Sequence, residues 1–138
     1  MKPEEFSCRI YGVLREAGQI LLTRSTFRGT EFVNFPGGGV DIGEAPGDAL
    51  KREFAEETGL EIKPLRVLYA SEGAHLSTQL PLQIVSVYWL VERSGGTLNM
   101  TGNGDDVRGL FWAPEGGVPT AEMFPADREF TEKLPSVL

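Results

Sequence analysis

The segment Arg52-Glu53-Phe54-Ala55-Glu56-Glu57 sets one arginine beside three carboxylates and is closed by Gly59. On a helix, positions i, i+3 and i+4 share a face, so Glu53, Glu56 and Glu57 converge. Like charges gathered that closely repel one another, and a sequence selected for folding alone avoids this unless a cation is to sit there. Oxygen ligands of this kind suit magnesium, with manganese as the alternative. The competing reading is a solvated acidic helix face.

The helix that would carry these acids has recognisable ends. Pro46 suits the first helical position, and Gly59 suits the left-handed residue after the last turn, although Ala45 is a poor N-cap. At about 100° per residue, Leu50 and Phe54 form the inward stripe, with Glu53 and Glu57 beside it. Asp48, Lys51, Ala55 and Thr58 are expected to point the other way. Arg52 and Glu56 form an i, i+4 pair in the less favourable orientation for a surface bridge.

Short apolar stretches elsewhere read as strands: Ser7 to Leu14, Gln19 to Thr23, Phe32 to Asn34, Leu65 to Ser71, Leu82 to Val91 and Val107 to Trp112. Glu16-Ala17-Gly18 suits a hairpin, and Ser94-Gly95-Gly96 is expected to end the long strand. A second helix is expected from about Ala126 to Lys133. No repeat, linker or low-complexity tract divides the chain, so residues 1–138 read as one domain.

The composition limits the chemistry. The chain has 138 residues, 41% of them hydrophobic and 24% charged, which suits a globular domain with its own core. A net charge of -7 argues against a broad nucleic-acid surface, because phosphate backbones need clustered Lys and Arg. A compact anionic ligand held through a metal remains compatible. The single cysteine, Cys8, excludes an intrachain disulfide and a Cys-rich zinc site. No apolar signal core or membrane span is evident, so a cytoplasmic protein with no membrane partner is expected.

From Gly38, five residues precede Glu44, and seven more precede Arg52-Glu53; Phe54, Ala55, Glu56-Glu57, Thr58, Gly59 and Leu60 then follow. In this spacing the chain resembles the Nudix hydrolase family, matching every fixed position of its box. The resemblance implies an α/β fold: an α/β/α sandwich with a mixed sheet and the box loop and helix beside it. It also implies Mg2+-dependent hydrolysis of a diphosphate bond in a nucleoside diphosphate linked to another moiety.

By the same resemblance, Glu53, Glu56 and Glu57 are the metal carboxylates, and a carbonyl at the start of the box, from Gly38 or its neighbour Gly37, completes the site. Glu44 and Arg52 are a supporting pair that orients the acids. The general base is a box glutamate, Glu57 or Glu53, or an acid from a separate loop; Glu72, Asp105, Asp106 and Glu115 are the outside candidates. The glycines after Pro36 let backbone bend close to metal and diphosphate.

Other residues give weaker signals. Arg24 and Arg28 could bind terminal phosphates, and His75 could meet a phosphate or act as a base. Among the aromatic residues Phe27, Phe32, Phe35, Tyr88 and Trp112, which in strands are more often core, the candidates for stacking on a base are Phe32 or Tyr88. Marks of several subfamilies are missing, including the proline of ADP-ribose enzymes and the SQPWPFPxS array and zinc-ribbon cysteines of NADH pyrophosphatases. Leu21 to Ser25 with Arg28 matches the coenzyme A pyrophosphatase signature only partly. The expected partner is a small nucleotide or nucleotide conjugate, and a homodimer is possible. The alternatives are an inactive nucleotide-sensing domain and an isoprenoid diphosphate isomerase, which would need a catalytic cysteine.

Overall fold

A computed structural model describes residues 2–138. Strand β1 (Glu5–Glu16) lies at the centre, with β2 (Gln19–Phe27), β3 (Thr30–Asn34) and β4 (Gly37–Gly39) following it. Helix α1 (Pro46–Thr58) leads into β5 (Leu60–Ala70), β6 (His75–Leu76), β7 (Leu82–Gly96) and β8 (Val107–Pro114), and α2 (Pro125–Val137) ends the chain. The main path of the sheet runs β3-β2-β1-β7-β5; β4 pairs β1, β6 pairs β7 and β8 pairs β2. The β1–β7 pairing is parallel and the others are antiparallel, so the sheet is mixed.

Strand alternation sends side chains to two cores. On one face Ile10, Leu14 and Leu21 pack with Leu50 and Phe54 of α1; on the other, Tyr11, Val13, Ile20 and Leu22 pack with Phe130 and Leu134 of α2. The sheet is therefore enclosed between two helices, as an α/β/α sandwich requires. Ala17 and Gly18 both have positive φ, 52° and 75°, which lets the β1–β2 hairpin turn in two residues. Among the described residues no helix is long and apolar enough to cross a membrane.

Three segments depart from the sequence expectation. Gly37–Gly39 is a strand paired to Arg9–Tyr11 instead of a free loop, because no side chain keeps the two backbones apart. Strand β5 starts at Leu60, directly after the helix, and tolerates Pro64 because it is an edge strand with a shifted register there. Gly95 and Gly96 extend β7, paired with Glu61 and Leu60; a Cβ at Gly96 would stand 2.3 Å from the Gly59 carbonyl oxygen.

Candidate active site

Helix α1 begins without a side-chain cap, with Pro46 in its first turn, and ends at Gly59, whose φ is 79° and whose amide donates to the Ala55 carbonyl. Leu50 and Phe54 are fully buried against the sheet, which aims the adjoining Glu53 and Glu57 at β4. Thr58, expected to point outward, is also fully buried. Its hydroxyl donates to the Phe54 carbonyl at 2.7 Å and accepts the Leu60 amide at 3.1 Å, so it closes the helix instead of facing water.

The three box acids occupy different environments. Glu57 is 6% exposed and accepts the Gly37 amide at 2.8 Å. Burial pushes its carboxyl up to about 9; the Gly37 hydrogen bond opposes this, while Glu53 and Asp106 add to it. Glu53 lies against Gly38, where a Cβ would come within 2.7 Å of its Oε1. Burial raises its pKa too, against the neighbouring Arg52. Glu56 is largely exposed and turns to Arg52 at 3.6 Å.

Among the described residues no three acidic, histidine or cysteine side chains already converge to hold a metal ion. The expected convergence of Glu53, Glu56 and Glu57 holds for the helix face but not for the side-chain ends. Glu56 pairs with Arg52 at 3.6 Å while Glu57 accepts the Gly37 amide at 2.8 Å, so the two side-chain ends are held by different partners.

Arg52 organises the loop before the helix. Its Nε and Nη2 donate to the two oxygens of Glu44 at 2.8 and 3.0 Å, Nη2 also donates to the Gly39 carbonyl at 3.2 Å, and Nη1 donates to Glu53 Oε1 at 3.0 Å. One planar guanidinium thus ties Glu44, β4 and a box acid together. The Arg52 hydrogen bond, with that from the Asp41 amide, lowers the pKa of Glu44. Glu44 and Arg52, expected as a supporting pair, are thus hydrogen-bonded to each other.

Gly37 and Glu57 line a cleft of about 220 Å³, whose lining also includes Arg9, Asn34, Phe32, Phe124, Asp106 and Asp127. A NUDIX domain family model matches residues 6–134.

The chain belongs to the Nudix hydrolase family.

It is 31% identical over 129 residues to the 8-oxo-dGTP diphosphatase of Haemophilus influenzae, a match covering 89% of this chain and 87% of that protein. The RNA pyrophosphohydrolase of Pseudomonas paraeruginosa is 40% identical over 73 residues, 53% of this chain but only 44% of that one. Among solved structures, the MutT protein from Methanosarcina mazei Go1 has a TM-score of 0.78 at 21% identity, covering 98% of this chain and 95% of that one. The E. coli ORF135 protein has a TM-score of 0.76 at 21% identity, covering 96% and 90%. These structural likenesses show the fold. As a member of the family, the chain is a Nudix-type pyrophosphohydrolase acting on phosphoric anhydride bonds.

In this Nudix hydrolase the residues expected to contact substrate separate. Phe32 lines the cleft, tilted against Phe124 with ring centroids 4.5 Å apart. Tyr88 does not reach it: the ring is fully buried, stacked 4.0 Å from Phe130, and its hydroxyl donates to Asp127, so it packs the core instead of stacking on a base. Arg24 lies over the Phe111 ring and pairs with Glu122, outside the cleft lining. Arg28 meets the Gln79 carbonyl at 3.4 Å, at the rim. His75 lines the cleft but is tied to Glu129 at 2.8 Å.

Of the outside acids, Asp106 alone lines the cleft, whereas Glu115 pairs with Arg15. Two residues that sequence reasoning passed over stand in the cleft wall. Arg9 on β1 donates to the Tyr11 hydroxyl at 2.8 Å, and it is the only lysine or arginine among the lining residues. Asp127 at the start of α2 is 4% exposed, and burial pushes its carboxyl up to about 6, against the Tyr88 hydrogen bond and the Arg9 charge. Arg9 sits in an alternating strand that signals a face and nothing more. Asp127 resembles any acid in a first helical turn, so no local pattern marked it.

Proposed function

We propose that this Nudix hydrolase cleaves a diphosphate bond in a nucleoside diphosphate linked to another moiety, in a reaction dependent on magnesium or manganese. The observation that carries the reading is the continuity of one cleft from Glu57 and Gly37 of the box to Phe32, Phe124 and Asn34. The 31% identity to the 8-oxo-dGTP diphosphatase over most of both chains supports a nucleotide as the class of substrate.

The donors suit such a cation in kind. Glu53 is partly buried and Glu57 almost fully so; burial raises both carboxyls, Glu56 adds to the rise at Glu53, and Glu53 and Asp106 add to it at Glu57, which a divalent cation would relieve. Glu56 and the Gly38 carbonyl would complete the oxygen set, Glu56 by leaving its contact with Arg52. A cation held by these groups would supply a lowered pKa for a water and neutralisation of phosphate oxygens.

The chain's own groups do the rest. Glu57 takes the proton of the attacking water when ionised, with Glu53 as the alternative box base and Asp106 as the outside one. Arg9 meets a phosphate oxygen, and Phe32 with Phe124 packs the base. Arg52 and Glu44 hold Glu53 and β4 in register.

The test is release of phosphate or diphosphate from a panel of nucleotides, coenzymes, dinucleoside polyphosphates and a triphosphorylated RNA 5′ end, with magnesium. Tight nucleotide binding without turnover on any of them would instead identify a sensing domain. An isomerase would need a cysteine in the site, and Cys8 is exposed and outside the cleft lining.

A further inference from the structure

Resting on the cleft as the nucleotide site, we propose that Glu129 is a positioning residue. It fixes one wall of the cleft through His75 and the preceding loop, and so sets affinity for the nucleotide more than the rate of bond cleavage. The wall comprises β6 and residues 77–80. Its own sheet pairing is slight: His75 opposite Ile84 and Leu76 opposite Gln83. A strand of two residues holds little by itself.

Glu129, on α2 and outside the cleft lining, supplies what the pairing lacks. Its Oε1 accepts the Gly73 amide at 2.9 Å and lies 2.8 Å from His75 Nε2, while its Oε2 accepts the Tyr69 hydroxyl at 2.7 Å and the Glu72 amide at 2.8 Å. A carboxylate has about four acceptor positions, so one short stretch of chain uses the whole group. Burial pushes this carboxyl up, but the Glu72 amide and the other three donors outweigh it and hold the pKa at about 2. The group is therefore ionised under ordinary conditions, and its bonds are the stronger charge-assisted kind.

Gly73 is part of the same device. A Cβ there would stand 2.8 Å from His75 Nε2 and 3.0 Å from Glu129 Oε1, so the close approach needs a residue without a side chain. At its other end the wall is tied to the β2–β3 turn: the Gln79 side-chain amide donates to Thr30 Oγ1 at 3.2 Å, and its carbonyl accepts from Arg28 at 3.4 Å. The segment between, carrying Leu76 and Ser77 into the cleft, is thus suspended from α2 at one end and from the hairpin at the other.

The experiment compares hydrogen exchange and steady-state kinetics of the wild type with Glu129→Gln and Gly73→Ala. Glu129→Gln keeps the size but turns one acceptor into a donor facing other donors; Gly73→Ala keeps every charge and crowds the junction. Both should speed exchange at Glu72, Gly73 and 75–80 with β1 and α1 unchanged, and raise KM roughly tenfold with kcat within about twofold. Unchanged exchange at 72–80, or a fall in kcat at constant KM, would overturn the proposal. Exchange is read without substrate, so failure of the latch is distinguishable from a nucleotide panel left uncleaved, which would overturn the reading of the cleft.

Discussion

The Gly37 amide donates to Glu57 Oε1 at 2.8 Å, joining the last turn of α1 to the strand that begins the Nudix box. This is one hydrogen bond for a carboxyl that is otherwise buried, and it does not offset the loss of water around the charged form. The carboxyl is consequently held at about 9 against an ordinary 4.5.

A pH dependence of stability follows from that shift. Between the ordinary and the raised value the folded protein holds a proton that the unfolded chain has released, so metal-free stability falls as pH rises from about 4.5 towards about 9. Melting temperatures measured in chelator across this range should decline, and Glu57→Gln should flatten the decline and melt higher near pH 8, an interval of roughly the same window. Magnesium should raise the wild-type melting temperature at the alkaline end, since it binds the folded, ionised form. An unchanged slope in Glu57→Gln would refute the assignment to this residue.

The adjacent glycines should fail differently. A Cβ at Gly37 would lie 2.0 Å from the Ile10 carbonyl oxygen and 2.7 Å from Tyr11 Cα, backbone atoms that cannot yield. Gly37→Ala should therefore cost about 3 kcal/mol of stability or more, read by denaturant unfolding. At Gly38 the obstacle is the Glu53 carboxylate, which can move. Gly38→Ala should fold with a melting temperature near wild type and lose turnover.

The two arginines on neighbouring strands should also separate. Arg9 lines the cleft, whereas Arg24 is spent on Phe111 and Glu122. Arg9→Gln should raise KM for a diphosphate substrate roughly tenfold or more, the loss of one charge-assisted hydrogen bond. Arg24→Gln should leave KM unchanged. Equal effects from both would remove Arg9 from its place at the phosphate.

Replacing Arg52 tests support without chemistry. Lysine keeps the charge but cannot reach both Glu44 oxygens, the Gly39 carbonyl and Glu53 from one planar group. Arg52→Lys should lower kcat while preserving its pH profile, whereas loss of a base would change the profile.

How much of this was legible in the sequence depended on whether the signal was local. Helix α1 and its box were, because Pro46, the Leu50–Phe54 stripe and Gly59 define a helix and the spacing from Gly38 defines its purpose. Thr58 was misplaced because its hydroxyl satisfies backbone groups in its own helix turn, a bond that hydrophobic periodicity ignores. Tyr88 in the core and Arg24 outside the cleft lining differ from the expectation because residue type says what a side chain can bind but not which face of the sheet it occupies. Arg9 and Asp127 are brought to the cleft, and Glu129 to the loop that precedes its wall, by pairings distant in sequence, β1 with β7 and α2 against the sheet, and no spacing along the chain encodes that.

The most direct test of the central claim is turnover of the nucleotide panel by the wild type and Glu57→Gln, each with magnesium and with chelator. The account predicts magnesium-dependent release of phosphate or diphosphate by the wild type, abolished by chelator and reduced roughly 10²- to 10⁴-fold in a folded Glu57→Gln protein. Turnover that survives chelation, or a Glu57→Gln enzyme that works at the wild-type rate, would contradict it.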